Sequence, residues 1–277
     1  MTKLRCASRE LDLSRAQIMG VLNVTPDSFS DGGRYDVLDK ALARAEEMVL
    51  QGASIIDVGG ESTRPGATKV DLQEEMDRVC PVVERLQREL DVVVSVDTSS
   101  PEVMTQVLGL GVGLINDVRS FSRDGALEAV AGSSAALCVM HMQGEPGTMQ
   151  NAPRYHSVVE EVLAYLEQQA ARLIAAGVDR QQIVLDPGFG FGKTLEHNLQ
   201  LLNGVSTFSA AGYPVLAGLS RKSMIGAILD KPVDERVAGS VAAALIAVQK
   251  GAAIVRVHDV AETVDAIKIW EALNMQA

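Results

Sequence analysis

Five side chains that carry or can carry positive charge, Arg64, Arg221, Lys222, Arg256 and His258, stand out in a chain whose formal net charge is −11. A few focused cations can dominate one cleft of an acidic protein, and Arg grips phosphate or carboxylate through a planar fork of donors. A second set, Asp97, Asn116 and Asp186, suits a flat heterocycle that presents amino and ring N–H donors beside carbonyl acceptors. A buried Asp accepting two such donors is satisfied rather than costly. Asn23, Glu61 and His141 occupy comparable positions, each at or just past the end of an aliphatic run. Any one of these groups could be a cap or a solvated end. Eight runs ending this way in register point to one functional rim.

Two stretches deepen that reading. Asp186-Pro-Gly-Phe-Gly-Phe-Gly-Lys193-Thr194 follows one aliphatic run and invites a nucleotide-binding interpretation. A phosphate loop needs four residues between its first Gly and the Gly-Lys pair, whereas only three separate Gly188 from Gly192. The glycines instead let backbone approach a flat ligand, with Phe191 as an aromatic wall. Ser220-Arg221-Lys222-Ser223 places two cations before a helix expected to begin at Met224, with Ser223 as its N-cap and the free N–H groups facing an anion such as a carboxylate. Met140 and His141 read as packing beneath the site, and His156 and His197 as helix-start residues.

Elements must bring these groups together. Short aliphatic runs at 17–23, 54–59, 92–97, 114–117, 136–141, 183–186, 214–220 and 253–258 alternate with helix-period segments. Leu72, Met76, Val79, Val83, Leu86 and Leu90 share one face, as do Leu38, Leu42, Ala45 and Val49, and Val159, Val162, Leu166, Ala170 and Leu173. Gln51-Gly-Ala-Ser-Ile-Ile-Asp57, Leu110-Gly-Val-Gly-Leu-Ile-Asn116 and Lys250-Gly-Ala-Ala-Ile-Val-Arg256 repeat one form, with a Gly that ends a helix in the left-handed conformation before the next strand. Eight strand–helix units predict a single-domain (β/α)8 TIM barrel over 1–277, with active groups at the strands' carboxyl ends. The residues before Gln17 predict a short β-hairpin across the barrel floor. A doubly wound sheet would carry a glycine fingerprint after its first strand, which Met19-Gly-Val-Leu-Asn-Val-Thr lacks.

Composition narrows the class. The 277 residues are 47% hydrophobic and 22% charged, ordinary for a globular protein. The acidic balance disfavours nucleic acid as a partner, and no apolar run is long enough to span a bilayer. Cys6, Cys80 and Cys138 form no near pair, which fits reduced thiols in a cytoplasm.

The motifs Asn23–Gly33, Asp57–Gly66, Ser95-Val-Asp97-Thr98, Ile115-Asn116-Asp117, Met140-His-Met-Gln-Gly144, Leu185 to Lys193, Ser220 to Ser223 and Arg256-Val-His258-Asp259 occur in order over nearly the whole chain. In this the chain resembles the dihydropteroate synthase family. The resemblance implies a homodimeric barrel that joins 6-hydroxymethyl-7,8-dihydropterin diphosphate to p-aminobenzoate, with Mg2+ as cofactor and sulfonamides as inhibitors. It assigns Asp97, Asn116, Met140, Asp186, Gly218, Lys222 and Arg256 to the pterin. Asn23 would ligate Mg2+, while Asn23, Thr63, Arg64, Arg256 and His258 contact the diphosphate. Phe29, Thr63, Pro65, Phe191, Arg221 and Ser223 would shape the p-aminobenzoate pocket, and Arg64, Asp97, Asp186, Lys222, Arg256 and His258 would carry catalysis. Two Gly/Ser/Pro-rich loops, about 24–37 and 62–70, are expected to close over the site. The rival readings are a methyltetrahydrofolate corrinoid methyltransferase, which has no use for a diphosphate site, and a silent pterin-binding paralogue.

Overall fold

The computed structural model describes residues 2–24, 34–61, 70–144, 149 and 152–274. A hairpin of β1 (Lys3–Cys6) and β2 (Arg9–Asp12) opens the chain. Seven parallel strands with helices between them follow: β3 (Gln17–Asn23), α1 (Arg34–Gln51), β4 (Ile55–Gly59), α2 (Leu72–Glu89), β5 (Val93–Asp97), α3 (Pro101–Gly109), β6 (Leu114–Asp117), α4 (Ala126–Val130), β7 (Ala136–Met140), α5 (Val158–Ala175), β8 (Ile183–Asp186), α6 (Leu195–Asn203), α7 (Val205–Ala210) and β9 (Leu216–Ala217). The last units are α8 (Ser223–Leu229), α9 (Val237–Gln249), β10 (Ile254–Val257) and α10 (Val260–Asn274).

The eight strands β3 to β10 form one sheet in the order β8-β7-β6-β5-β4-β3-β10-β9. Its two edges meet where Leu185 bridges Val215 and the Leu185 N–H donates to the Pro214 carbonyl at 2.9 Å, which closes the barrel. The strands expected from the sequence are all present. The seventh is shorter than expected, at two residues, because the chain leaves the ladder into a turn in which the Lys222 N–H reaches the Leu219 carbonyl and Arg221 adopts φ 57°.

Side chains alternate across each strand, and that alternation sorts the barrel into layers. Ile18, Leu22, Ile56, Val58, Val94, Val96, Ile115, Leu137, Val139, Ile183 and Leu185 pack outward in the core shared with the helices. Met19, Ile55, Val93, Leu114, Ala136, Cys138, Val184, Leu216 and Ile254 cluster inside, together with Leu4 and Cys6 of the hairpin. The hairpin therefore caps the barrel's floor, and ion pairs of Arg5 with Asp179 and Arg9 with Asp91 fasten it. Two residues further along the same strands, on the same inward parity, stand Asp57, Ser95, Asn116, Asp186, Gly218 and Arg256. Asn23, Asp97, Met140 and His258 occupy inward positions nearer the exit. Strand periodicity thus turns a set of scattered polar residues into one polar layer above an apolar floor.

The helices follow from their periodicity. In α2, Val79, Val83 and Leu86 are buried, and the Asp71 carboxylate caps the start by accepting from Gln73 N–H at 2.7 Å and Glu74 N–H at 3.2 Å. Leu72, expected on that buried face, is exposed, because it opens the first turn. Gly52, Gly111 and Gly251 all adopt positive φ (110°, 87° and 99°), so the repeated Gly ends three helices in the left-handed conformation a Cβ would resist. Among the described residues no helix is long and apolar enough to cross a membrane.

Candidate active site at the barrel mouth

Arg256, midway along β10, organises the polar layer. Its Nε donates to Asp57 Oδ2 at 2.6 Å and its Nη2 to Asp97 Oδ2 at 3.1 Å, so one guanidinium spans two carboxylates from β4 and β5. Asp57 is fully buried and accepts two further hydrogen bonds, from Ser95 Oγ at 2.6 Å and from Asn116 Nδ2 at 3.3 Å. The carboxylates hold Arg256 permanently charged, pushing its pKa up against the penalty of burial. Asp97 is driven the other way: loss of water raises its carboxyl to about 7, a rise that Asp57 reinforces and Arg256 restrains.

Asp57 also fixes how Asn116 faces. The amide nitrogen is spent on Asp57, so Oδ1 points elsewhere and finds no partner, although it is buried. Buried polar atoms are almost always hydrogen-bonded, and an orphan acceptor at the bottom of a strand-end well marks where a ligand's N–H belongs. Asp186 closes the opposite wall. Burial raises its carboxyl, while Lys222 and the Gly188 N–H, which donates to Oδ1 at 2.7 Å, favour the charged form.

Lys222 Nζ donates to the Phe189 carbonyl and lies 4.8 Å from the centre of the Phe191 ring. Burial, with Arg256 adding repulsion, pushes its pKa down to about 8, and Asp186 and Asp97 limit the fall. Gly218 sits beside this group: a Cβ there would lie 3.9 Å from both Arg256 Cβ and Lys222 Nζ. Met140 is buried against Gly188, consistent with packing beneath the slot. His258 is anchored at the rim by Ser220, whose hydroxyl lies 3.0 Å from Nδ1 and 3.2 Å from the backbone N–H.

Other expected residues are placed differently. Arg221 turns its guanidinium onto Asp259, with Nε donating to Oδ2 at 3.0 Å, and its backbone N–H donates to the Ser240 hydroxyl oxygen at 2.9 Å. Ser223 is not an N-cap: it is the first residue of α8, exposed, while Lys222 holds the cap position without a side-chain cap bond. The left-handed turn at Arg221 brings the chain into helix one residue earlier than the Ser-based reading expects. Phe29, Thr63, Arg64 and Pro65, and most of both expected closing loops, lie outside the described residues.

Asn23 offers a test for the expected Mg2+. Its Oδ1 would stand 3.4 Å from a Cβ at Gly59, so the bare glycine leaves space beside a neutral oxygen donor. Among the described residues no cluster of three His, Cys, Asp or Glu could hold a metal alone. One neutral oxygen fits a Mg2+ bound chiefly by substrate phosphates and water, the usual state of that ion.

Two buried charged residues of the mouth were given no role by the sequence reading. Asp57 sits inside the aliphatic run Ile55–Gly59, where a carboxylate between two outward-facing residues is itself the signal. Lys193 is only 3% exposed, although its motif was set aside as a failed phosphate loop. At the barrel's other end a cavity of about 500 Å3, lined by Leu13, Tyr213 and Trp270 among others, contains none of these groups.

Fold and mouth together define a (β/α)8 barrel enzyme of the pterin-binding class, and the pterin binding enzyme family model matches residues 19–258. Dihydropteroate synthase of Haemophilus influenzae is 54% identical over 270 residues, 98% of each chain. Among solved structures, Yersinia pestis dihydropteroate synthase, in a complex with a sulfonamide drug, is 51% identical with a TM-score of 0.94 over 99% of both chains. The Xanthomonas albilineans enzyme with 4-aminobenzoic acid is 47% identical with a TM-score of 0.93, over 99% of this chain and 98% of that one. The chain belongs to the dihydropteroate synthase family.

Proposed function

We propose that the chain joins 6-hydroxymethyl-7,8-dihydropterin diphosphate to p-aminobenzoate, releasing pyrophosphate and 7,8-dihydropteroate. The observation that carries the reading is the orphan Asn116 Oδ1 beside Arg256, which two carboxylates hold charged. An acceptor flanked by Asp97 and Asp186 matches the donor edge of a pterin, and a fixed cation beside it matches a leaving group that gains negative charge.

The chemistry follows from charge. As the C–O bond to the diphosphate breaks, its electron pair leaves with pyrophosphate and the pterin methylene becomes cationic, delocalised into the ring. Arg256, with Arg64 and His258, neutralises the departing oxygens. Carboxylates at Asp97 and Asp186 favour positive charge on the heterocycle. The amine nitrogen of p-aminobenzoate then forms the new C–N bond and yields its proton to water. Asn23 would hold Mg2+ on the diphosphate, where the ion supplies further charge neutralisation. Phe29, Thr63, Pro65, Phe191, Arg221 and Ser223 are the p-aminobenzoate side of the site, where a sulfonamide would compete.

Exposed Leu195 and Leu199 of α6, Ile228 and Leu229 of α8, and Val233 are apolar side chains on neighbouring elements. They support a homodimer through this face, and the composition supports a cytoplasmic protein. The test of function is pyrophosphate release from both substrates with Mg2+. Release that requires p-aminobenzoate supports the reading, and tight pterin binding without turnover overturns it in favour of a silent paralogue.

A further inference from the structure

The Gly188–Gly192 segment holds Phe191 beside Lys222 and buries Phe189 in the core, yet it has little regular structure of its own. Gly188, Gly190 and Gly192 adopt φ values of 68°, 82° and 61°, which leaves the peptide groups facing in different directions. Two amides find side-chain acceptors: the Gly188 N–H donates to Asp186 Oδ1 at 2.7 Å and the Gly190 N–H to Asn198 Oδ1 at 2.7 Å. The carbonyls need donors. Lys222 takes that of Phe189, and the Tyr155 hydroxyl donates to that of Gly192 at 2.9 Å.

Two further carbonyls of the segment converge on Lys193. Its Nζ donates to Gly188 O at 2.9 Å and Phe191 O at 2.9 Å, and also to His141 O at 3.2 Å, with His141 Nδ1 at 3.0 Å. In its charged form the Lys193 ammonium is all donor, so Nδ1 accepts and the imidazole is neutral. Burial and the neighbouring Lys193 charge keep it so, lowering the His141 pKa to about 3. Tyr155 and Tyr165 wall the ring at 5.9 and 5.0 Å between centroids.

We infer that Lys193 is a positioning residue for the Asp186 wall of the slot, tying the 188–192 segment to the end of β7 so that Asp186 and Phe191 meet the substrates in one fixed arrangement. The inference rests on the function proposed above. Four acceptors share the three protons of one cation, and no neutral side chain supplies three donors from one atom. The glycines have left no slack, since a Cβ on Gly188 would overlap the His141 carbonyl oxygen and one on Gly192 would come within 2.5 Å of the Gln143 carbonyl oxygen. Lys193 and Asp186 also sense each other: the lysine favours the charged carboxylate, and the carboxylate opposes the burial that lowers the lysine's pKa to about 7. Lys193 therefore acts on Asp186 both through the backbone and through charge.

The experiment measures calorimetric binding of 6-hydroxymethyl-7,8-dihydropterin diphosphate, and steady-state turnover, for the full chain and for Lys193→Met, Lys193→Arg, Asp186→Asn and the Lys193→Met/Asp186→Asn pair. Lys193→Met is expected to weaken pterin binding about tenfold or more, as misplaced binding groups do, with Lys193→Arg recovering part of the loss. In the Asp186→Asn background the same change is expected to cost less than about threefold, because coupled residues are not additive. Wild-type-like pterin binding in Lys193→Met, or full additivity with Asp186→Asn, overturns the inference while leaving the function standing. A wild-type chain that neither binds the pterin nor turns over overturns both. Should Lys193→Met fail to fold, Tyr155→Phe removes the parallel strut on Gly192. Weaker pterin binding there supports the inference, and unchanged binding makes Lys193 a folding residue only and overturns it.

Discussion

Arg256 and Asp57, 199 positions apart, meet through a 2.6 Å hydrogen bond between Nε and Oδ2 inside the barrel. The bond does two jobs, since the same carboxylate oxygen takes the Asn116 amide nitrogen, leaving the buried Asn116 Oδ1 without a partner. Asp57→Asn would keep the shape and lose the charge. The expected result is a fall in kcat/KM of roughly tenfold to a hundredfold, the scale on which misplaced groups reduce rates. Steady-state pyrophosphate release checks it, and a value within about twofold of wild type would show that Arg256 is oriented without Asp57.

Gly188 gives a sharper structural prediction. Its φ of 68° and the overlap of any Cβ with the His141 carbonyl oxygen leave no room for Ala. Gly188→Ala is expected to destabilise the fold by about 1–3 kcal/mol through backbone strain, read by urea unfolding, and to weaken pterin binding as the Asp186 wall shifts. Unchanged stability with unchanged binding would mean that the segment relaxes freely.

The buried imidazole of His141 sets a pH dependence. Its pKa is about 3 in the folded chain against the usual 6.5. Between those values the unfolded chain binds the extra proton, so stability falls as pH drops from 6.5 toward 3, by at most about 1.4 kcal/mol per pH unit. His141→Asn removes the titrating ring. Its unfolding free energy is expected to vary less steeply than wild type between pH 4 and 6, and parallel curves would reject the assignment.

Self-association is expected to run through the apolar face of α6 and α8. Ile228 is 54% exposed at its edge. Ile228→Asp would place a charge in a packed interface and raise the dimer dissociation constant by roughly tenfold or more, measured by sedimentation. An unaltered equilibrium would move the interface elsewhere.

Much of this was legible in the residues, and the reasons differ by element. Strand positions came through because aliphatic runs ending in a polar group have two constraints, an apolar outer face and a functional tip. The gathering of Asp97, Asn116 and Asp186 at the strands' carboxyl ends followed from that pattern. Asp57 did not, because the expectation looked to strand ends, and inward parity two residues short of the end becomes meaningful only once the register of neighbouring strands is known. Lys193 was judged against a motif whose spacing it fails, and its carbonyl cage exists only when β7 and the 188–192 segment adjoin. Ser223 illustrates the opposite error: a good cap by type loses its place when Arg221 turns left-handed one residue earlier.

The hairpin that packs Leu4 and Cys6 against Met19, Ile55 and Leu114 stoppers the barrel's lower end, so among the described residues the polar layer faces only the strands' carboxyl ends. With the pterin against Asn116 and Asp186 and p-aminobenzoate nearer the entrance, as proposed, an obligatory order is expected, the pterin entering first and its product leaving last.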